Sequence, residues 1–391
     1  MNDTVHSDDL GLRLHRNQWI ALIVPICYIG VQLYLRAEAG PLWQWNLLDP
    51  AYFYLLDALN ILSGDPPGHI YHPGVTVHTY GATTIGLASL FVEGSIVSAV
   101  LADPERYLGM LSNGVIVANA IALTILGGVG KRIFGNWLPA LACQLAPFMS
   151  TIILKHAFLP KPESFLVFAT CVLISLVLLA SHDELEKPTK NKLAGGFGIV
   201  AGFVAATKIT AVPVLILPLF ILRDPKSVAV YAVFSILAFV VFIAPGIGAL
   251  GAFVEWIGRV ALGAGAHGSG PQTIIEWQAY IDSIFKLLKR PSLKVPLALA
   301  FISLGWAMWR RRAGRVLPAN WQWVILGVSA AQLAQVVLVA KQPTAFYMIP
   351  SYMLGALSVV FSVRLIWACR PAGFNLPIDV RTVAAVLFAG F

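Results

Sequence analysis

The chain has 391 residues, of which 58% are hydrophobic and 12% are charged, against about 25% charged in an ordinary soluble domain. This composition excludes a water-soluble protein. Because a membrane span needs roughly 20 apolar residues, it also excludes a large catalytic domain outside the membrane. The formal net charge of +8 is explained by the loops between spans, and no basic groove of the kind that binds nucleic acid is present.

Eight apolar runs predict membrane spans. They lie at residues 18–35, 107–127, 137–154, 164–181, 228–248, 295–309, 321–340 and 346–368. The final residues, 382–391, begin another run that is too short to cross, which predicts a truncated chain or a missing terminal span. With two ambiguous stretches added, we expect an all-α polytopic membrane protein of about ten or eleven spans, organised as a single membrane domain.

The two ambiguous stretches each contain polar residues. Residues 193–222 are apolar except for Thr207 and Lys208 at their middle, and basic residues flank both ends. This pattern predicts two short helices that turn at Lys208 and have both outer ends on one side of the membrane. Residues 75–92 are long enough to cross but polar in their first half.

The distribution of basic residues decides the second stretch. If residues 75–92 lie at the interface, the predicted cytoplasmic segments carry 16 Lys or Arg in 65 residues and the outside segments carry 10 in 128. This threefold difference has the sign that membrane proteins show, so we predict an interfacial helix. The outside segments are then 36–106, 155–163, 251–294 and 341–344. Residues 37–39 resemble a signal-peptidase site, but the long apolar run before them predicts a retained anchor.

The first outside loop begins with a candidate catalytic acid. Asp49 follows the first span and precedes Pro50, and apolar residues then recur at helical spacing, which predicts an amphipathic helix on the membrane that carries Tyr52. A carboxylate here is suited to taking a proton from an acceptor hydroxyl. The alternative is that Asp49 only caps the helix, with proline at its first position.

A histidine-containing turn follows in the same loop. His69 and His72 precede Pro73-Gly74, and imidazoles at the outer mouth of a span are suited to holding a phosphate or a metal. Both histidines could equally be ordinary turn residues. The four cysteines have no metal-type spacing.

The second outside segment collects cations. Lys155, His156 and Lys161 stand between two spans, and Glu163 opens the next span, where an acid favours the helix dipole. Lysines are uncommon on this side, so the cluster suits an anionic lipid headgroup or a pyrophosphate. The alternative is that these lysines extend from the span ends to the interface.

Lys208 and the last large outside loop supply the remaining candidates. A charge within membrane depth costs several kcal/mol unless it is paired or hydrated, so Lys208 predicts a functional site; alternatively, it only reaches the outer interface. The last loop contains Arg259 and the glycine-rich residues 263–270 with His267. These predict a mobile flap over a membrane-borne substrate or a flexible linker, and they lack the spacing of a nucleotide P-loop.

The order of these motifs resembles the GT-C membrane glycosyltransferases. The bacterial protein O-mannosyltransferase-like and aminoarabinose-transferase-like proteins are the most similar. The resemblance covers roughly residues 18–350. It is carried by Asp49-Pro50-Ala51-Tyr52, Tyr71-His72-Pro73-Gly74, Pro162-Glu163 and the residues from Gly202 to Lys208.

The resemblance implies an enzyme of the bacterial inner membrane and cell envelope whose active site faces the periplasm. It would pass a sugar from a polyprenyl-phosphate donor to an acceptor glycan, lipid or protein. Asp49 would be the catalytic base, His72 would touch the donor phosphate, and Glu163 and Lys208 match the later motifs. Ala51 departs from the family, because many relatives have a second acid there. This departure puts an acidic pair or a metal bridge in doubt, so no cofactor is implied and a divalent metal stays open.

Two other classes compete with an enzyme. A transporter or flippase of lipid-linked sugars also uses intramembrane charge, but it should show paired broken spans in two related halves. The sequence has one such broken stretch, at Lys208. A non-catalytic scaffold should have scattered polar residues, whereas these candidates gather on one side, so a glycosyltransferase is favoured.

Overall fold

The computed structural model describes residues 18–44, 50–181, 187–313 and 319–370, and these residues are predominantly helical. The only β-type contact among them is a single antiparallel bridge between Pro73 and Lys208. Sixteen α-helices are described: α1 Ile23–Ala39, α2 Ala51–Leu62, α3 Val75–Ser89, α4 Ile96–Ala102, α5 Pro104–Phe134, α6 Trp137–Gln144, α7 Thr151–Ala157, α8 Pro162–Ala180, α9 Lys187–Thr207, α10 Leu217–Leu222, α11 Pro225–Ile243, α12 Leu250–Leu262, α13 Trp277–Leu288, α14 Pro291–Arg312, α15 Ala319–Val339 and α16 Ile349–Ala368.

Seven helical runs of the described residues are long and apolar enough to cross a membrane. They are Gln18–Ala39, Pro104–Phe134, Pro162–Ala180, Pro225–Leu262, Pro291–Arg312, Asn320–Val339 and Ala345–Ala368. The chain is therefore an all-α, multi-pass membrane protein, as the composition predicts. The finer count of ten or eleven spans stays a prediction, and the run 382–391 lies outside the described residues.

One of the eight predicted spans, residues 137–154, is not among these seven runs. Residues 137–154 contain α6, a 3-10 turn at Ala146–Met149, and the start of α7. Pro147 lies in this turn, and proline interrupts a helix because it has no N–H and its ring collides with the preceding turn. Ser150 then starts α7 by accepting a hydrogen bond from the Ile152 N–H at 3.4 Å.

The first outside loop returns to the end of the bundle from which it leaves. The Arg36 guanidinium near the end of α1 donates to the Asn113 side chain of α5 at 2.5 Å. The Trp43 N–H, just beyond α1, donates to the Glu105 carboxylate in the first turn of α5 at 3.2 Å. Because α5 starts beside the point where α1 ends, the loop between them makes no net crossing of the membrane. The interfacial position of residues 75–92 stays a prediction, and seven residues of α3 are buried within the bundle.

The chain turns back at Lys208 as the sequence predicts. α9 ends at the preceding residue and a 3-10 helix, Ile209–Ile216, follows Lys208 and leads into α10. At the far end of this hairpin the Lys190 amine lies 3.5 Å from the Asp224 carboxylate. The start and the finish of the hairpin therefore lie together at the end of the bundle away from Lys208.

Two glycines bring α9 and α11 into close contact. A Cβ atom placed on Gly202 would lie 2.4 Å from the Phe239 backbone nitrogen, and one on Gly198 would lie 2.5 Å from the Phe234 Cβ. Glycines four residues apart on one helix face let two membrane helices approach backbone to backbone. This contact fixes the position of α9, whose last residue precedes Lys208.

The predicted outside segments meet at one end of the bundle, which we call the outer end. The ring of Trp256 on α12 lies 5.6 Å from the ring of Tyr71 in the first loop. The Lys341 amine donates to the Ala261 carbonyl at 2.5 Å. Three of the four predicted outside segments are joined by these two contacts.

Candidate functional site

The centre of the site is a buried ion pair between two predicted site residues. The Lys208 amine contacts the Glu163 carboxylate, and both side chains are completely inaccessible to solvent. Glu163 is held in the first turn of α8, which begins at Pro162, a position that suits both proline and an acid. Because a lone buried charge costs several kcal/mol, each residue makes the burial of the other possible.

Aromatic rings cover the lysine on another side. The Lys208 amine lies 4.8 Å from the ring centroid of Tyr347 and 5.3 Å from that of Phe346, distances typical of a cation–π interaction. The ring of His156, on α7, lies 4.9 Å from the Phe346 ring. The site thus gathers residues from α7, α8, the Lys208 turn and the 3-10 turn before α16.

The histidine turn is joined to Lys208 through the backbone. The Ile209 N–H donates to the His72 carbonyl at 2.9 Å, and the Gly74 N–H donates to the Thr207 carbonyl at 3.1 Å. The His72–Pro73 peptide bond is cis. The backbones of His72 and Lys208, 136 positions apart in the sequence, are therefore neighbours.

An acid that the sequence analysis did not select supports this turn. The Asp57 carboxylate accepts hydrogen bonds from the Gly68 N–H at 2.7 Å and the His69 N–H at 3.0 Å, and it lies 3.3 Å from His78 Nε2. Burial raises the pKa of Asp57 above its ordinary value, and the backbone donors act in the opposite direction. A Cβ atom on Gly74 would lie 3.4 Å from the His78 ring, so the histidine that contacts Asp57 lies beside Gly74.

Asp57 and the aromatic pair carried different signals in the sequence. Asp57 lies on the same face of α2 as the buried residues Tyr54 and Ala58, and an acid on the apolar face of an amphipathic helix indicates a buried partner. Phe346 and Tyr347 look like the ordinary start of an apolar span. Only their position against Lys208 distinguishes them.

The two lysines of the second outside segment differ in exposure. Lys161 is 2% exposed and directly precedes α8, where its carbonyl accepts a hydrogen bond from the Ser164 hydroxyl at 2.8 Å. Lys155 is exposed on α7, so its side chain fits the interfacial alternative. Lys161 brings a second buried cation to the segment that carries Glu163.

Three other predicted binding residues are not buried as the ion pair is. Arg259 and His267 are exposed, and Tyr52 is half-buried, with its ring 4.9 Å from that of its neighbour Phe53. One turn before Arg259 on α12, the Trp256 ring lies 6.4 Å from the His72 ring. This helix therefore contacts the histidine turn through Trp256, and the role of Arg259 stays a prediction.

The glycine-rich loop packs backbone against backbone. The Gln342 side chain donates to the Gly265 carbonyl at 2.6 Å, and a Cβ atom on Gly268 would lie 2.3 Å from the Arg259 carbonyl oxygen. Glycine is needed at residue 268 for this close approach and for its φ of +74°. The glycines thus have a packing role that the flap and linker interpretations did not include.

Asp49, the predicted catalytic base, lies outside the described residues. Within the described part of the chain, no cluster of three or more His, Cys, Asp or Glu side chains is arranged to hold a metal ion. The roles of Asp49 and of a divalent metal therefore stay predictions.

An apolar cavity of about 550 Å³ begins beside the ion pair, within the roughly 300–1,000 Å³ range of ligand pockets. The hydroxyl of the lining residue Thr76 lies 2.8 Å from the hydroxyl of Thr207, which precedes Lys208 in the chain. Ser164, which follows Glu163 in the chain, also lines the cavity. The lining residues are Thr76, Thr79, Tyr80, Thr83, Val115, Ala118, Asn119, Ser164, Phe165, Phe168, Phe203, Val241, Phe242 and Pro245.

The polar half of α3 gives this cavity an apolar surface. The hydroxyls of Thr79 and Thr83 each donate to a carbonyl one turn earlier in α3, both at 2.8 Å, and the Tyr80 hydroxyl donates to the Leu111 carbonyl at 2.8 Å. Because these polar groups are satisfied by backbone, methyl groups and rings are left facing the cavity. The threonines that made the sequence of α3 ambiguous therefore suit a hydrocarbon ligand.

Comparison with known proteins identifies no relative: no protein-family model, no curated protein and no solved structure matches this chain.

Proposed function

We propose that this protein is a membrane glycosyltransferase of the GT-C type. It takes a sugar from a polyprenyl-phosphate donor and transfers it to an acceptor at the periplasmic face of the bacterial inner membrane. The observation that carries the proposal is a buried Lys208–Glu163 ion pair next to an apolar cavity: Ser164, beside Glu163, lines the cavity, and Thr207, beside Lys208, contacts the lining residue Thr76. A polyprenyl phosphate has the same layout, with an anionic head on a hydrocarbon chain.

The cavity suits the chain of such a donor. Its walls come from α3, α5, α8, α9 and α11 and the 3-10 turn after α11, and four phenylalanines line it. Four of these five helices belong to membrane-spanning runs or to the Lys208 hairpin. The cavity therefore lies among helices of the membrane domain, and burial there of each CH₂ group of a lipid chain would contribute about 0.8 kcal/mol.

The cations suit the phosphate. Lys208 and Lys161 are both buried, and a positive charge in a dry site stabilises developing negative charge far better than one in water. Glu163 holds the Lys208 amine in place, so the lysine needs no reorganisation when the phosphate departs. His72, whose backbone carbonyl accepts a hydrogen bond from the Ile209 N–H, would contact the donor phosphate, as the resemblance in sequence implies.

The reaction needs one bond made and one broken. The acceptor oxygen bonds to the anomeric carbon of the sugar, the bond from that carbon to the phosphate oxygen breaks, and the phosphate keeps the electron pair. The acceptor proton passes to Asp49, a role that rests on the resemblance in sequence. Most of the catalysis is then positioning and charge stabilisation.

Purified protein incubated with radiolabelled polyprenyl-phosphate sugars tests the proposal. Transfer, or slow hydrolysis that releases polyprenyl phosphate, is the expected result, and Asp49→Asn should abolish it while leaving the melting temperature unchanged. If instead the protein moves the intact lipid-linked sugar across a vesicle membrane, it is a transporter.

A pair of neighbouring substitutions tests the cavity. Ala118 lines the cavity, whereas Val117 faces outward and is 51% exposed. Ala118→Trp should fill the cavity and raise the KM for the donor at least tenfold, with little change for Val117→Trp. Equal effects of the two tryptophans would remove the cavity from the proposal.

A further inference from the structure

A helix at the outer end is held against the bundle by one of its faces. On α13, Leu287 is 1% exposed, and Tyr280 and Ile284 pack against the main core. The Tyr280 hydroxyl also donates to the Val337 carbonyl of α15 at 2.7 Å. These contacts fix the rotation of α13 about its axis and so determine which side chains point away from the bundle.

A second apolar face of α13 points away from the bundle. Trp277, Ile281 and Phe285 follow one another at intervals of four residues, and they are 68%, 43% and 56% exposed. Ile274, just before the helix, extends this stripe and is 63% exposed. A contiguous exposed apolar stripe on a rigid element indicates a surface that another apolar phase covers.

Basic residues flank the stripe. Lys286 and Lys289 on α13 and its C-terminal end are exposed, and so is Lys294 in the first turn of α14. At 100° per residue, Lys289 lies about 40° around the axis from Phe285. Tryptophan beside lysine at the edge of an apolar face is typical of helices that lie in a membrane interface.

The position of α13 in the chain sets its depth. α14, which begins at Pro291 directly after α13, is long and apolar enough to cross the membrane. The end of α13 is therefore held at the level where a span enters the bilayer. At this level the exposed stripe would face lipid acyl chains, and the lysines would face the phosphate groups.

We propose that α13 docks in the plane of the outer leaflet and binds anionic phospholipid there. The stripe of Trp277, Ile281 and Phe285 inserts between acyl chains, and Lys286, Lys289 and Lys294 contact the lipid phosphates. Each lysine near an anionic surface strengthens binding about fivefold. This interaction is independent of sugar transfer and holds whichever substrate the buried site takes.

Site-specific fluorescence on the full-length chain tests the proposal. Cys27 is the exposed cysteine among the described residues, and the other three are buried, so Cys27→Ser followed by Phe285→Cys allows labelling of the stripe with the dye NBD. Gln278→Cys, on the polar face, is the matched control. Each protein is reconstituted into phosphatidylcholine vesicles with and without 30% phosphatidylglycerol, using lipids whose acyl chains carry a bromine quencher.

The expected result is strong quenching at residue 285 with phosphatidylglycerol, weaker quenching without it, and little quenching at residue 278. Adding Lys286→Gln and Lys289→Gln should lower the anionic-lipid preference at residue 285 at least tenfold without changing the melting temperature. Equal quenching with and without phosphatidylglycerol overturns the proposal. A second outcome also overturns the proposal: the dye at residue 285 reports an apolar environment, bromine on the acyl chains does not quench it, and a higher protein-to-lipid ratio strengthens the signal. A second copy of the chain then covers the stripe.

Discussion

Removing one partner of the buried ion pair should destabilise the protein severely. In Lys208→Met the Glu163 carboxylate stays completely buried without its cation, which costs about 3–5 kcal/mol when one member of a buried pair is lost. The lost cation–π contact with Tyr347 adds about 0.5–2 kcal/mol. The sum is a large part of the roughly 5–15 kcal/mol that stabilises a typical folded protein.

A double-mutant cycle separates pairing from other effects. Glu163→Gln alone should cost about as much as Lys208→Met, because it leaves a buried ammonium without its carboxylate. The double variant should cost at least about 2 kcal/mol less than the sum of the two, since the partners are in contact. Lys155→Met, which removes an exposed lysine from the neighbouring α7, is the matched control and should stay within about 0.5 kcal/mol.

Unfolding in mixed micelles of increasing SDS content, followed by tryptophan fluorescence, measures these free energies. A coupling below about 0.5 kcal/mol would refute the reasoning, because two fully buried charges in contact cannot be energetically independent. The same four proteins then report on function by their affinity for polyprenyl phosphate. The double variant should recover stability but not this affinity, and recovery of both would assign Lys208 to folding alone.

Three further variants test the surroundings of the site. Gly74→Ala should cost about 1–2 kcal/mol of stability, since residue 74 has a φ of +75°, whereas Gly109→Ala, which meets no atom within 4 Å, should not destabilise the protein. Asp57→Asn should flatten the pH profile of the melting temperature. Because the pKa of Asp57 is raised in the folded protein, the native state binds this proton more tightly than the unfolded state, and the wild type loses stability as the pH rises from about 4 through the raised pKa. An equally steep profile in the variant would contradict this reasoning. Gly202→Val should force α9 from α11, because its Cβ meets the Phe239 backbone, and an unfolding free energy within about 1 kcal/mol of the wild type would argue against close packing there.

Local chemistry made several features of the fold predictable. A charge in an apolar run is costly wherever it lies, so the break at Lys208 follows from composition alone. Three of the loops that basic-residue density assigns to the outside contact one another at the outer end. The density of basic residues could group them because it depends only on the side of the membrane on which each loop lies. The interruption inside residues 137–154 was also visible as Pro147, but averaging hydropathy over a span hides a single residue.

The partners of the site residues were less predictable. Glu163 was selected for its place at a helix start, and only packing shows that its carboxylate meets Lys208. Asp57 was overlooked because its contacts, with the turn at residues 68–69 and with His78, depend on how α2 lies against α3. The threonines of α3 counted as polar by sequence, yet backbone hydrogen bonds turn their methyl groups toward the cavity.

The amino-acid sequence by itself determined that this chain is a helical, multi-pass membrane protein, and it predicted that the candidate site residues gather on one side. Those properties follow from the free energy of transferring each segment into a bilayer, which is a sum over neighbouring residues. The tertiary structure alone decided that Lys208 meets Glu163 and Tyr347 in a buried site, and that the backbone of the His72 turn joins the residue next to Lys208. Such contacts join residues more than forty positions apart, and their geometry depends on helix packing that no local pattern encodes.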